Sequence, residues 1–229
     1  MENSPMKHSA LCIKELFEPG RTAAWEYLSQ FTYPWEALSG IRDLVLELGA
    51  ALNISEYEQR GSDIWIHKSA IIAPTAFIGS AVIIGADTEV RHCAFIRESA
   101  LIGKGAVIGN STELKNVIIF DGVQAPHYNY VGDSILGYKS HLGAGAITSN
   151  VKSDRTPVAV VCGNERIKTG MKKFGAILGD FVEIGCNSVL NPGAIVGACA
   201  SVYPLSSVRG YVPPDSIYKR QGDVVTRNL

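Results

Sequence analysis

A six-residue beat of branched apolar residues constrains this chain more than any other feature. Ile66, Ile72, Ile78, Ile84, Val90, Ile96, Ile102 and Ile108 fall six apart, and Leu114 continues the series. The beat returns at Leu178, Ile184, Leu190, Val196 and Val202. A helix surface repeats near 3.6 residues and a strand repeats at 2, so neither alone generates this register. Short strands separated by tight turns do, when three such units close one coil. The pattern predicts a parallel β-helix of hexapeptide repeats, with coils of about 18 residues rising roughly 4.8 Å each. Small residues follow many of the beat positions, as in Ile78-Gly79 and Ile102-Gly103, and suit the corners.

The 229 residues carry a formal net charge of −1, which gives no polybasic field for nucleic acid or an anionic membrane surface. No apolar run reaches membrane-spanning length and no signal peptide is evident. Cys12, Cys93, Cys162, Cys186 and Cys199 lack disulfide or zinc spacing and read as reduced thiols of a cytoplasmic protein.

Three parts are expected. Residues 1–63 form a helical N-terminal cap and connector, with residues 1–8 frayed. Within it Trp35, Leu38, Ile41, Val45, Leu48 and Leu52 recur at three and four after Pro34, an amphipathic helix lying against the first coils and shielding their open edges. Residues 64–205 form the β-helix, interrupted near 115–133 and 151–173. The second interruption is polar and basic, contains the alternating run Val158-Ala-Val-Val161, and predicts a protruding hairpin or arm. Residues 206–229 hold one last strand near Ile217-Tyr218-Lys219 and an exposed tail.

A solenoid core is a packing device, so chemistry is sought where the repeat breaks. His127 follows Pro126 in the first interruption, with Tyr128 and Tyr130 beside it, and an imidazole suits a general base at neutral pH. The competing reading is a surface histidine bonded to backbone. Arg97 and Lys115 lie 18 apart, one nominal coil, and an arginine with a lysine on one face is good chemistry for a phosphate monoester. Against this stands a plain solvated face. No histidine pair or carboxylate spacing marks a metal site. Gly143-Ala-Gly145 lacks the strand, turn and helix context of a nucleotide-binding loop.

The block Arg97, Asn116, His127-Tyr-Asn-Tyr130-Val-Gly-Asp133 and Leu142-Gly-Ala-Gly-Ala-Ile-Thr-Ser-Asn150 resembles a known domain. It is similar to the acetyltransferase domain of bacterial bifunctional N-acetylglucosamine-1-phosphate uridyltransferase/glucosamine-1-phosphate acetyltransferase. It is closer still to the C-terminal domain of archaeal sugar-phosphate nucleotidyltransferases with that second activity. Glu165-Arg-Ile-Lys-Thr-Gly-Met-Lys-Lys-Phe-Gly-Ala-Ile-Leu-Gly-Asp180 extends the resemblance, which covers roughly residues 64–205.

The resemblance implies a mainly β, left-handed β-helix that forms a homotrimer and uses acetyl-CoA as cosubstrate, with no metal. It implies His127 as catalytic base and the Ala144 backbone N–H as oxyanion donor. Arg97, Lys115, Tyr130 and Asn150 become substrate-binding residues, and Lys172 and Lys173 meet the CoA phosphates. The chain departs at two places. His141 stands where bacterial members have asparagine, at a substrate-contacting position. Thr156 replaces a lysine, with Arg155 beside it to supply the charge.

The implied activity is acetyl-CoA-dependent N-acetylation of an amino-sugar phosphate such as glucosamine 1-phosphate, in UDP-N-acetylglucosamine biosynthesis. The alternative, motivated by His141 and Thr156, is an inactive or regulatory β-helix partner of a separate sugar-phosphate nucleotidyltransferase. A γ-type carbonic anhydrase is disfavoured because its H-x-x-x-x-H ligand spacing does not occur.

Overall fold

The computed structural model describes residues 8–227; the first seven residues of the expected frayed terminus, and the last two of the tail, lie outside them. From Ile64 the chain winds into a left-handed β-helix. Register traces three flat faces along it. The first passes through Phe77, Phe95, Glu113, Tyr130 and Ile147, then Val189 and Ser207. The second passes through Ile83, Leu101, Ile118, Ile135, Ile177 and Ile195. The third is a nine-stranded sheet through Val90, Ile108 and Ala125.

Residues of the beat point into the prism. Ile84, Ile96, Ile102, Ile108, Leu114, Leu178 and Leu190 are all buried there. Burying each such side chain stabilises the fold by about 1.5–3 kcal/mol. The corners are turned by single residues in the left-handed region. Where the first face meets the second, these are Ala81, Ser99, Asn116 and Asp133, at φ 53°, 53°, 53° and 47°.

The expected interruption over 115–133 is instead continuous solenoid. Strands Glu113–Ile119, Gln124–His127 and Tyr130–Leu136 pair in parallel with their neighbours. The beat contracts from six residues to five between Leu114 and Ile119, and again between Val131 and Leu136. Register shows the cause: Ile96 pairs with Leu114, but Glu98 pairs with Lys115, leaving Arg97 as the extra residue of a β-bulge. Two shortened coils therefore look like a lost repeat.

Helices form in the N-terminal region as expected, but they do not cap an end. A 3₁₀ segment Pro34–Gly40 continues into the α-helix Ile41–Ala50. Together they lie lengthwise on the second face, the α-helix against strands Phe77–Ile84 and Phe95–Ile102 and the 3₁₀ segment against Tyr130–Leu136. The reason is apolarity on both sides of that face. Ile83, Leu101, Ile118, Ile135 and Ile177 point outward from it, next to inward beat residues, and all are buried. Gly49 allows the close approach, because a Cβ there would stand 2.3 Å from the Trp65 ring. The segment before the helices is fastened further along, where Asp180 N–H donates to Leu16 O and Asp121 N–H to Arg21 O, at 3.0 and 3.1 Å. The open edge at the first coil is covered by strand Tyr57–Arg60, antiparallel to Ile64–His67.

The excursion over 151–173 contains a hairpin, Ala159–Cys162 paired with Glu165–Lys168. Its tip is exposed, but its base folds back instead of protruding, with Val158 and Val160 buried. Gly193 gives room to Val158 and Gly210 to Val161, so the hairpin packs closely on these later turns. The chain re-enters the coil as Phe174 N–H donates to Asn150 O and Gly175 N–H to Asp133 O. The last strand, Ser216–Arg220, is followed by a further antiparallel strand, Asp223–Thr226, rather than by tail alone.

Candidate functional site

The strand Gln124–His127 ends the third face at an exposed His127, and the chain turns on Tyr128 at φ 52°. Asn110 is the register partner of His127 on the preceding coil. Ala144 takes the same place on the following coil, at the offset that pairs Gln124 with His141. Gly145 N–H donates to His127 O at 3.0 Å, which ties the two coils together at this point. Among the described residues, Ala144 N–H has no hydrogen-bond acceptor. An imidazole and a free backbone donor thus stand next to each other in one stack. A groove of about 520 Å³, lined by Glu89, Arg91, His92 and Asn110, leads along the third face and ends one coil short of His127.

Around the corner, Tyr130 opens the first face beside Glu113. Arg97 Nη1 donates to Glu113 Oε1 at 2.9 Å, and that bond raises the arginine pKa. Burial pushes the Tyr130 phenol up, with Asp133 and Glu113 adding to the rise. Arg97 and a hydrogen bond with Asn150 oppose it. Lys115 is mostly buried, and its Nζ stands 3.7 Å from Asp133 Oδ1. Asn116 Nδ2 reaches the same oxygen at 2.9 Å, and Asn150 Nδ2 bonds the other carboxylate oxygen. Arg97, Lys115, Tyr130 and Asn150 therefore gather around the two shortened coils, with Arg97 on the coil before them and Asn150 on the coil after. The bulge alters one detail: Arg97 and Lys115 are not register partners, and Lys115 lies beside Glu98 instead.

Among the described residues, the side chains of the other expected residues make no hydrogen bond or ion pair to this cluster. His141 starts the strand that leads to Ala144, and its Nδ1 is 2.8 Å from Glu183 Oε2. It lines a separate groove of about 520 Å³ with Gln124 and Lys139. Arg155 is exposed in the excursion, in a left-handed conformation at φ 56°. Thr156 is hydrogen-bonded to Lys152 and Asp154. Lys172 and Lys173 are exposed where the excursion returns to the solenoid.

Two acidic residues complete the cluster without having been singled out. Asp133 is 4% exposed and joins Lys115, Asn116 and Asn150. Glu113 joins Arg97 to the strand that carries Lys115. The signal for Asp133 was available as a non-glycine at a corner position. The signal for Glu113 was its place just before Leu114, on the outward face of the beat.

The family described as GMPPB C-terminal domain matches residues 87–196, the region that holds this cluster. Bifunctional protein GlmU of Methanococcus maripaludis is 29% identical over 221 residues, 94% of this chain and 54% of that protein. A bifunctional sugar-1-phosphate nucleotidylyltransferase/acetyltransferase of Sulfurisphaera tokodaii is 37% identical over 91 residues, 40% of this chain and 23% of that protein. Along its hexapeptide-repeat β-helix the chain is similar to GlmU-type bifunctional proteins. It spans about half, or less, of the length of these relatives.

Among solved structures, the acetyltransferase domain of PglB from Neisseria gonorrhoeae, in complex with acetyl coenzyme A, aligns at 18% identity and a TM-score of 0.32. That alignment covers 77% of this chain and 61% of the other. A hexapeptide transferase family protein from Anaplasma phagocytophilum aligns at 16% identity and a TM-score of 0.34, over 74% of this chain and 82% of the other. Among the described residues, no helix is long and apolar enough to cross a membrane.

Proposed function

We propose that the chain is an acetyl-CoA-dependent N-acetyltransferase acting on an amino-sugar phosphate such as glucosamine 1-phosphate. The observation that carries this reading is the pairing of His127 with the unengaged Ala144 N–H on adjacent coils. Acetyl-CoA, when bound, supplies an activated acyl carbonyl. An ammonium has no lone pair for attack, so His127 accepts the proton as the amine nitrogen advances. Ala144 N–H donates to the carbonyl oxygen as negative charge develops there; as the C–N bond forms the C–S bond breaks, and coenzyme A leaves as the thiol with the proton that His127 took up. Arg97 and Lys115 take the phosphate, while Tyr130 and Asn150 orient the sugar and lower the entropic barrier.

Both clamp cations already face carboxylates, Arg97 with Glu113 and Lys115 with Asp133. A phosphate therefore enters by exchange with these partners. Lys172 and Lys173 are assigned to the CoA phosphates, and a cytoplasmic homotrimer is the assembly proposed. Phe77, Phe95 and Ile147 support that assembly, as outward apolar residues of the first face that are 59%, 41% and 37% exposed.

A second reading, a regulatory partner of a separate nucleotidyltransferase, is favoured by the neutralised clamp. Thiol release from acetyl-CoA separates the two. Turnover with glucosamine 1-phosphate or galactosamine 1-phosphate, lost in His127→Ala, supports the enzyme. Calorimetry without acetyl-CoA binding, together with no thiol release, overturns it.

A further inference from the structure

Asn129 is 2% exposed, at the corner between His127 and Tyr130. Its side chain bonds to both halves of the proposed catalytic pair. Oδ1 accepts the backbone N–H of His127 at 3.2 Å. Nδ2 donates to Gly143 O at 2.9 Å and to Ala146 O at 3.2 Å. Those two carbonyls flank the turn that presents Ala144, a turn closed by Ala146 N–H on Gly143 O and carried by Gly145 at φ 73°. The Asn129 N–H itself donates to Thr112 Oγ1 on the preceding coil, at 3.4 Å.

The same inward corner position on the other coils shows that the fold does not need an amide here. Register places Ala76, Ala94, Thr112, Ala146, Ser188 and Ser206 at that position. Thr112 and Ser188 each donate one hydrogen bond to a carbonyl, and the three alanines donate none. A methyl or a hydroxyl thus suffices to turn six corners. Among the described residues at this position, Asn129 is the one whose side chain bonds both its own coil, at His127, and two carbonyls of the next.

We propose that Asn129 is a positioning residue: it fixes the separation between the His127 imidazole and the Ala144 N–H by holding both backbones in one hydrogen-bonded frame. This inference rests on the acetyltransferase reading above. Proximity effects are steep, and an ångström of misplacement costs on the order of 10²-fold in rate.

The test uses Asn129→Thr and Asn129→Ser, which install the residues of neighbouring corners, in the full chain. Thiol release is followed with acetyl-CoA and each of the two amino-sugar 1-phosphates named above. The expected result is a kcat lower by about 10- to 100-fold, with acetyl-CoA affinity by calorimetry within about threefold of wild type. In the double variant with His127→Ala, the loss should equal that of His127→Ala alone, because a residue that acts through the base adds nothing once the base is gone. Unchanged kcat, additive losses, or unfolding of both variants overturns the proposal while leaving the acetyltransferase reading intact. A wild-type chain that releases no thiol overturns both.

Discussion

Asp133 holds Lys115 and Asn150 from opposite oxygens of one carboxylate, and it does so at a left-handed corner of a shortened coil. Removing that carboxylate takes this partner from the half-buried Asn150 amide and the Lys115 ammonium, while Asn116 keeps its bond to Leu38 O. Asp133→Ala should therefore destabilise the chain by about 1–3 kcal/mol, read by urea unfolding. In steady-state assays its main effect should be a higher KM for the amino-sugar phosphate, since Lys115 and Asn150 lose their placement. A stable variant with unchanged KM would remove Asp133 from the site.

His127→Ala should lower kcat by about 10²- to 10⁴-fold, the usual worth of a positioned acid–base group. His127 is an exposed side chain, so the melting temperature should hardly move. Calorimetric titration should return nearly the wild-type affinity for acetyl-CoA.

The outward residues of the second face bind the N-terminal helices to the solenoid. Leu101→Ala and Ile118→Ala, at positions 2% and 0% exposed, should each cost about 2–5 kcal/mol in chemical denaturation. The same change at Ile71, which is 69% exposed, should be close to neutral.

Burial raises the Asp180 pKa above its ordinary 3.8, in spite of the Glu18 and Tyr138 backbone N–H groups that its carboxylate accepts. A raised folded pKa means that the folded state binds the proton more tightly than the unfolded state. The group's contribution is then fully present below 3.8 and is lost as pH rises through the folded value. The stability advantage of wild type over Asp180→Asn should accordingly shrink between pH 3.5 and neutrality, as tracked by paired melting curves. An advantage that grows with pH would contradict this.

The prism was legible because Ile66 to Leu114 repeat without a slip, and only a coil of three short strands repeats that way. Two features stayed hidden. Deleting one residue at a corner shifts the beat by a single place, so a regular coil between Leu114 and Val131 reads as irregular chain. The N-terminal helices were placed at an end because the beat marks only inward positions. The doublets Ile83-Ile84, Leu101-Ile102, Ile118-Ile119, Ile135-Leu136 and Ile177-Leu178 were in plain sight, and each marks a strand buried on both sides. At the candidate site, residue types point to His127, Arg97 and Lys115. The carboxylates opposite them were missed, because an ion pair between coils depends on where each coil begins and ends.

The segment laid along the second face also changes how the whole molecule should come apart. A bare stack of coils has only nearest-neighbour contacts and can fray from either end, rung after rung. Here a single rod touches rungs that never touch each other, from Ile83 to Tyr130–Leu136. Loosening any one of them strains the rod's grip on the rest, so the ladder should melt as one body, and it should do so later than a ladder stripped of its rail.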